Sequence, residues 1–252
     1  HVEKIVEEYV NLGKPAKVSV ITDSFADIAY VRQRALDLGE EKKLDMSGHT
    51  VHFDGISDQG RDKKNTCLLV TPDMKVSKII DVKDREEGLK EVYQIMDGIM
   101  AGKECFVRFF CLGPLNSRFS IAALQITDSA YVAHSEDLLY RVGYEQFKTL
   151  GGSDDFFYLV HSAGELDERN NTKNIKDRRI YIDVLGKRVL TVNNQYAGNS
   201  VGLKKLALRL AIYKANKEDW LTEHMFVMGV RPEEKKRVTY FTGAFPSACG
   251  KT

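Results

Sequence analysis

The sequence predicts an α/β fold with mixed α and β elements. Three observations predict it. Short apolar runs of strand length alternate with segments whose apolar residues recur every three to four positions. Gly, Pro, Asn and Asp punctuate the joins, and no linker, low-complexity tract or heptad pattern interrupts the series. With 252 residues, of which 43% are hydrophobic and 29% charged, the chain has the make-up of an ordinary globular protein with a substantial core.

Residues 2–12 place Val2, Ile5, Val6, Tyr9 and Val10 at helical spacing and stop at Gly13. A strand over 17–22 ends at Asp23-Ser24, which can cap a helix over 25–38 that closes at Gly39. The charged stretch 40–64 has weak periodicity and predicts a surface loop, where ligand contacts concentrate. A buried strand over 67–70 precedes a helix over 89–99. Residues 105–112 and 121–126 are apolar enough for inner strands, joined through the Gly113-Pro114 turn. A helix is predicted over 137–147 and strands over 156–161, 179–184 and 188–193, the last two forming a hairpin around Gly186. A helix over 203–217 follows Gly198-Asn199-Ser200, and strands over 225–230 and 237–242 complete the series. Ile-Thr-Asp-Ser occurs at 21–24 and again at 126–129, best read as two strand ends each meeting a helix cap.

The formal net charge of +1 excludes a broad polyanion-binding surface, so nucleic acid is not an expected partner and any anion site must be a local cluster. No apolar run approaches the ~18–20 residues needed to span a bilayer, and the first residues lack a secretory apolar stretch, so the cytoplasm is the expected location. Cys67, Cys105, Cys111 and Cys249 are widely spaced and read as thiols. The first residue is not Met and the last ten stop inside a phosphate-loop pattern, so a piece of a longer chain is expected. A domain boundary is expected near His224, giving 1–224 and 225–252.

Gly250-Lys251-Thr252 after a strand has the chemistry of a phosphate cradle. Backbone N–H groups face phosphate oxygens, Lys251 reaches the β/γ oxygens and Thr252 can hold a metal. Phe245 stands where the usual spacing has glycine, so a plain glycine turn before an exposed lysine is the alternative. Cys249 in the same loop is either an activated thiolate or a small residue chosen for fit. Lys205 has Val201, Leu208 and Ile212 on its helical side, where desolvation lowers a lysine pKa and a neutral amine could bind a metal, although by themselves these residues favour a lysine reaching to water; Lys204 could serve nearly as well. His224 is a candidate ligand or a packed histidine. Tyr196-Ala197-Gly198-Asn199-Ser200 offers an aromatic edge and approachable backbone to an anion, or simply starts a helix. Arg61 can fork onto a carboxylate or stay solvated.

Taken together these segments resemble one family. Phe245-Pro246-Ser247-Ala248-Cys249-Gly250-Lys251-Thr252 resembles the phosphate loop of the GTP-dependent phosphoenolpyruvate carboxykinases. Leu112-Gly113-Pro114-Leu115, residues 126–132, His161-Ser162-Ala163-Gly164, residues 196–200 and residues 220–225 resemble the same family in the same order. The resemblance runs from about residue 61 to 252 and implies the carboxykinase N-terminal domain followed by the first strands and phosphate loop of the nucleotide-binding domain. It implies the reversible conversion of oxaloacetate and GTP into phosphoenolpyruvate, GDP and CO2, with Mn2+ in the active site and Mg2+ or Mn2+ on the nucleotide, and no protein partner. Arg61 would grip the substrate carboxylate, with Tyr196, Ala197 and Gly198 lying against it. Lys205 and His224 would be metal ligands, the third ligand lying beyond Thr252. Ser247 would meet the substrate, Cys249 would be the reactive loop cysteine, and Ala248, Cys249, Gly250, Lys251 and Thr252 would contact the nucleotide phosphates. Lys63 stands two residues after Arg61 where a carboxylate is expected, and Ala197 replaces a frequent glycine. An ATP- or pyrophosphate-using carboxykinase, or a non-catalytic nucleotide- or metal-binding module, are the alternatives.

Overall fold

In the computed structural model, residues 57, 59–61, 63, 196–204, 223–224 and 246–252 lie outside the described residues, as do the side chains of 207 and 208; all others are described. The chain divides into two compact units, His1–Leu210 and Ala211–Thr252.

The first unit is built on a nine-stranded mixed sheet. Its strands are β1 (Lys17–Ile21), β4 (Thr66–Val70), β5 (Val82–Asp84), β6 (Glu104–Leu112), β7 (Ile121–Thr127), β8 (Arg141–Val142), β9 (Phe156–Ser162), β10 (Arg179–Asp183) and β11 (Arg188–Val192). They lie in the order β1-β6-β7-β9-β11-β10-β4-β5, with β8 paired to β6. A separate two-stranded ribbon joins β2 (Lys42–Lys43) to β3 (Thr50–Val51).

Apolar side chains pack on both faces of the sheet, which is why its central strands read as mainly apolar runs, interrupted by Arg108 in β6, Gln125 in β7 and His161 in β9. Along β6 the side chains alternate. Cys105, Val107 and Phe109 join Leu124, Ile126, Val160 and Leu190 in the larger core, against which α1 (Val2–Gly13), α3 (Arg85–Met96) and α5 (Tyr144–Thr149) place apolar side chains. Phe106 faces the other way, into a smaller cluster with Val31, Ala35, Ala130 and Ala133 from α2 (Phe25–Asp37) and α4 (Ala130–Leu139). Each of the Val, Leu, Ile and Phe side chains among these contributes roughly 1.5–3 kcal/mol when fully buried.

Both Ile-Thr-Asp-Ser segments end a strand and open a helix. Ser24 accepts a hydrogen bond from the Asp27 N–H and Ser129 one from the Val132 N–H, each satisfying a free donor of the first turn. The aspartates reach further: Asp23 accepts from the N–H groups of Tyr144 and Glu145, and Asp128 from that of Ala163.

Two sequence expectations are corrected. The single helix over 137–147 is instead the end of α4, the short β8 and then α5. The break follows from Gly143, whose N–H donates to the Phe109 carbonyl and whose Cβ, if present, would lie 2.4 Å from the Phe110 carbonyl carbon. The stretch 40–64 is not a plain surface loop, because Glu40, Glu41 and Asp58 are buried. Glu40 explains its own burial: its carboxylate accepts from Ser129 Oγ at 2.6 Å and from the N–H groups of Ala130 and Tyr131, closing the amino end of α4.

The second unit contains α6 (Ala211–Lys217) and an antiparallel hairpin of β12 (Met225–Val230) and β13 (Thr239–Ala244), with Met225 opposite Ala244 and Val230 opposite Thr239. Among the described residues no helix is long and apolar enough to cross a membrane.

Candidate active site

Strand directions gather several loops at one end of the sheet. β7, β9 and β11 run parallel to one another, so Thr127, His161, Ser162 and Val192 come out together. β10 is antiparallel to β11, pairing Arg179 with Val192, and β4 runs beside β10 with Thr66 opposite Ile180. The residues just before β4, Asp62 to Asn65 without the undescribed Lys63, therefore arrive beside those that leave β11, Asn193 to Gln195. Carboxyl ends of strands flanked by such loops are where open α/β sheets bind ligands.

Arg178, immediately before β10, ties those two loops together. Its Nη2 donates to Asp58 Oδ1 at 2.5 Å, its Nη1 lies 3.5 Å from Asp62 Oδ2, and its Nε donates to the Asn193 carbonyl at 3.3 Å. The second oxygen of Asp58 accepts from the Thr172 N–H, and Asp62 accepts from the N–H and side-chain amide of Asn65. Asn193 in turn donates through Nδ2 to the Asp177 carbonyl. Residues on both sides of Arg61 and the third residue before Tyr196 thus converge on one buried guanidinium.

A second network lies beside it. His161 is fully buried, and burial lowers its pKa from the ordinary histidine value, so the ring is neutral. Its Nε2 is 2.8 Å from the Asn194 carbonyl, which can only accept, so the proton sits on Nε2. Nδ1 then accepts from Thr127 Oγ1 at 2.7 Å, and that hydroxyl accepts in turn from the Ser129 N–H at 3.2 Å. Next to it, Asp128 takes Lys103 Nζ at 2.8 Å, Ser162 Oγ at 2.6 Å and the Ala163 N–H at 2.9 Å, while Lys103 also donates to the Gly164 carbonyl.

Lys205 is half-buried, at the start of the helical segment that leads into a π-helical turn over Leu206–Leu210. This turn packs on β11, with Leu206 and Leu210 buried. The helix expected over 203–217 is helical across its described part, 205–217, with π winding over Leu206–Leu210 ahead of α6. Of the expected apolar stripe, Ile212 is exposed, while Val201 and the side chain of Leu208 lie outside the described residues. Single π turns recur at functional sites.

Of the residues expected at the site, Arg61, Tyr196, Ala197, Gly198, His224, Ser247, Ala248, Cys249, Gly250, Lys251 and Thr252 lie outside the described residues, and Lys205 alone is described. β13 ends two residues before Pro246, the first residue of that last stretch. Among the described residues no group of three His, Cys, Asp or Glu side chains is arranged to hold a metal. Sequence reasoning missed Arg178, Asp58 and the role of His161. Arg178 sits in the run Lys176-Asp177-Arg178-Arg179, which looks like any solvated charge cluster, and its partner Asp58 is 120 positions away. The one available signal was His161 inside an otherwise apolar strand.

A family model described as the phosphoenolpyruvate carboxykinase N-terminal domain matches residues 4–216, and one described as the phosphoenolpyruvate carboxykinase C-terminal P-loop domain matches residues 220–252. Phosphoenolpyruvate carboxykinase [GTP] of Pyrococcus horikoshii is 56% identical over 252 residues, which is 100% of this chain and 40% of that protein. The protein of the same name from Thermococcus kodakarensis is 57% identical over 249 residues, covering 99% of this chain and 40% of its own length. That of Saccharolobus solfataricus is 46% identical over 249 residues, covering 99% and 39%. The chain spans about two fifths of the length of these relatives. Matched along nearly its whole length by these models and relatives, the chain belongs to the GTP-dependent phosphoenolpyruvate carboxykinase family.

Proposed function

We propose that the full-length protein interconverts oxaloacetate plus GTP with phosphoenolpyruvate, GDP and CO2, in a gluconeogenic or anaplerotic setting in the cytoplasm. Residues 1–224 would supply the substrate and metal side of the site, and 225–252 the opening of the nucleotide domain. The observation that carries this reading is the convergence on Arg178 of the loop flanking Arg61 and the segment entering Tyr196, at the end of the sheet suited to a ligand.

In this reading the guanidinium of Arg61 forks onto the carboxylate of oxaloacetate that is retained in the product. The edge of Tyr196 and the Ala197-Gly198 backbone lie along that carboxylate and hold it so that the departing one can leave as CO2. Ser247 donates to the substrate from the phosphate loop. Ala248, Cys249, Gly250, Lys251 and Thr252 cradle the nucleotide phosphates, Lys251 neutralising the γ-phosphate as the enolate oxygen attacks it and GDP leaves. Cys249 acts as a loop residue, since the transfer needs no covalent intermediate.

The donors fit a divalent ion. Lys205 is half-buried and supplies an amine nitrogen, and His224 adds an imidazole. Lys205 and His224 would hold Mn2+, and Thr252 the Mg2+ or Mn2+ that accompanies GTP. When bound, the active-site ion supplies Lewis-acid charge withdrawal at the substrate carbonyl oxygen.

A coupled decarboxylation assay on the full-length protein, with GTP against ATP and pyrophosphate and with or without Mn2+, tests the reading. GTP- and metal-dependent release of CO2 with formation of phosphoenolpyruvate is the expected result. Absence of GTP-dependent turnover overturns it, and turnover with ATP or pyrophosphate alone reassigns the phosphoryl donor.

A further inference from the structure

The helices on the larger-core side of the nine-stranded sheet do not cover it evenly. α3 packs on β4, β5, β10 and β11, α1 on β7 and α5 on β6. β1, the edge strand beyond β6, is left open there: Val18 and Val20, beside Cys105 and Val107 on that face, are 39% and 54% exposed. A groove of about 810 Å³ lies over this open edge. Its floor is Val18, Val20, Val107 and Phe109, with Phe147 and Leu150 at α5 as one wall. The other wall is α1, where Val2, Val6 and Val10 line the groove at i, i+4 and i+8. The charges on the two walls differ. Lys148 of α5 is paired with Glu145 at 2.6 Å. Glu3 and Glu7 of α1 are exposed, one turn apart, and without an ion-pair partner among the described residues. Glu3 sits in the first helical turn, where the helix dipole alone favours a carboxylate. Glu7 lies beyond that turn, and like charges four residues apart weaken a helix.

We propose that this groove is a docking site for a basic amphipathic helix of a partner protein. The layer that such a helix would join is itself made of helices, and it would lie on β1 as α5 lies on β6. The wall from Val2 to Val10 runs about 12 Å, just over two turns, which suits an apolar face presented at i, i+3, i+4 and i+7. Lysines or arginines four residues apart along the edge of that helix have the ~6 Å spacing of Glu3 and Glu7. Apolar contact with the valines supplies the affinity, and the two carboxylates select the sign and orientation of the partner. An acidic helix would set like charges against Glu3 and Glu7. So would a second copy of this chain that brought its own α1 edge to the groove.

The test uses the full-length protein and a fluorescein-labelled peptide of about 18 residues, with leucines on one helical face and lysines along its edges, followed by fluorescence anisotropy. Saturable binding that weakens as salt rises is the expected result. Glu7→Gln should raise Kd about two- to fivefold, the worth of one exposed ion pair. Val20→Glu should raise it roughly tenfold or more, although it adds negative charge, because it removes apolar floor. Circular dichroism should show that both variants are folded. Equal affinity for a peptide with glutamate in place of every lysine, or unchanged binding by folded Val20→Glu, overturns the proposal. Absence of binding overturns it too. Sedimentation then assigns the groove to a second copy if the protein is a dimer, and to the rest of its own chain if it is a monomer.

Discussion

Arg178 and Asp58 form an ion pair at 2.5 Å with both side chains buried, 4% and 1% exposed. The low exposure decides what the pair does. Neither charge can turn to water if the other is lost, so Asp58 stays attached to the entry of β10.

Removing the carboxylate isolates a buried cation. Asp58→Ala should destabilise the protein by about 3 kcal/mol, the lower end for breaking a buried pair, because Asp62 remains 3.5 Å away. Chemical denaturation of the variant against wild type measures it, and a difference under ~0.5 kcal/mol, the level of an ordinary surface change, would contradict the pairing.

Arg178→Lys keeps the charge but cannot serve Asp58 and the Asn193 carbonyl with a planar fork. In the full-length enzyme it should raise KM for oxaloacetate roughly tenfold, on the scale of one hydrogen bond to a charged group, while leaving KM for GTP alone. Equal changes in both constants would argue for a general loss of structure.

Glu104 makes stability depend on acid. Burial alone would push its carboxyl up, but hydrogen bonds from Lys17, Ser19, Tyr30 and Arg34 outweigh that and bring it down to about 2. A folded-state pKa below the ordinary 4.5 stabilises the protein at neutral pH, and the contribution is lost as pH falls from there through about 2. Glu104→Gln should therefore cost about 2 kcal/mol at pH 7, and the gap to wild type should close on acidification. A gap that stays constant from pH 7 to pH 3 would show that the charge is not the cause.

Gly143 lies where the chain turns against β6. Gly143→Ala puts a Cβ 2.4 Å from the Phe110 carbonyl carbon, a backbone atom held by pairing to β7 and β8. The melting temperature should drop, by a stability loss of about 2–3 kcal/mol for overpacking against backbone. An unchanged melting curve would mean that β8 and α5 can move away from β6 freely.

Lys205 and Lys204 can be separated by metal titration. In the full-length protein Lys205→Met should weaken Mn2+ binding at least tenfold, more than the loss of an outer-shell partner, and Lys204→Met should not. The reverse result would move the amine ligand by one position.

Much of the fold was legible. The runs 105–112 and 121–126 read as inner strands because both their faces are buried, and the strand-to-helix joins at 21–24 and 126–129 announced themselves through Asp and Ser. The break between α4 and α5 was not legible. Tyr140 to Gly143 continue an acceptable helical pattern, and only the approach of Phe110 from a distant strand rules it out. Likewise, nothing local marks Glu40 as the residue that closes the amino end of α4, some 90 positions later. At the candidate site, Gly250-Lys251-Thr252 is a contiguous motif whose chemistry the sequence suggests locally, and it lies outside the described residues. Arg178 and His161 could not be read locally, since their partners are far away in sequence.

The amino-acid sequence by itself determined the family of this protein, its α/β class and the residues to examine, because those depend on local patterns: apolar spacing, caps and contiguous motifs. Only the tertiary structure decided which loops meet. The parallel run of β7, β9 and β11 brings their carboxyl ends together, and β10, returning antiparallel, delivers Arg178 to the same end. A buried charge or ring there must find partners among whatever segments the topology delivers. The pairs Arg178 with Asp58 and His161 with Asn194 are therefore consequences of strand order and direction, which no stretch of sequence encodes alone.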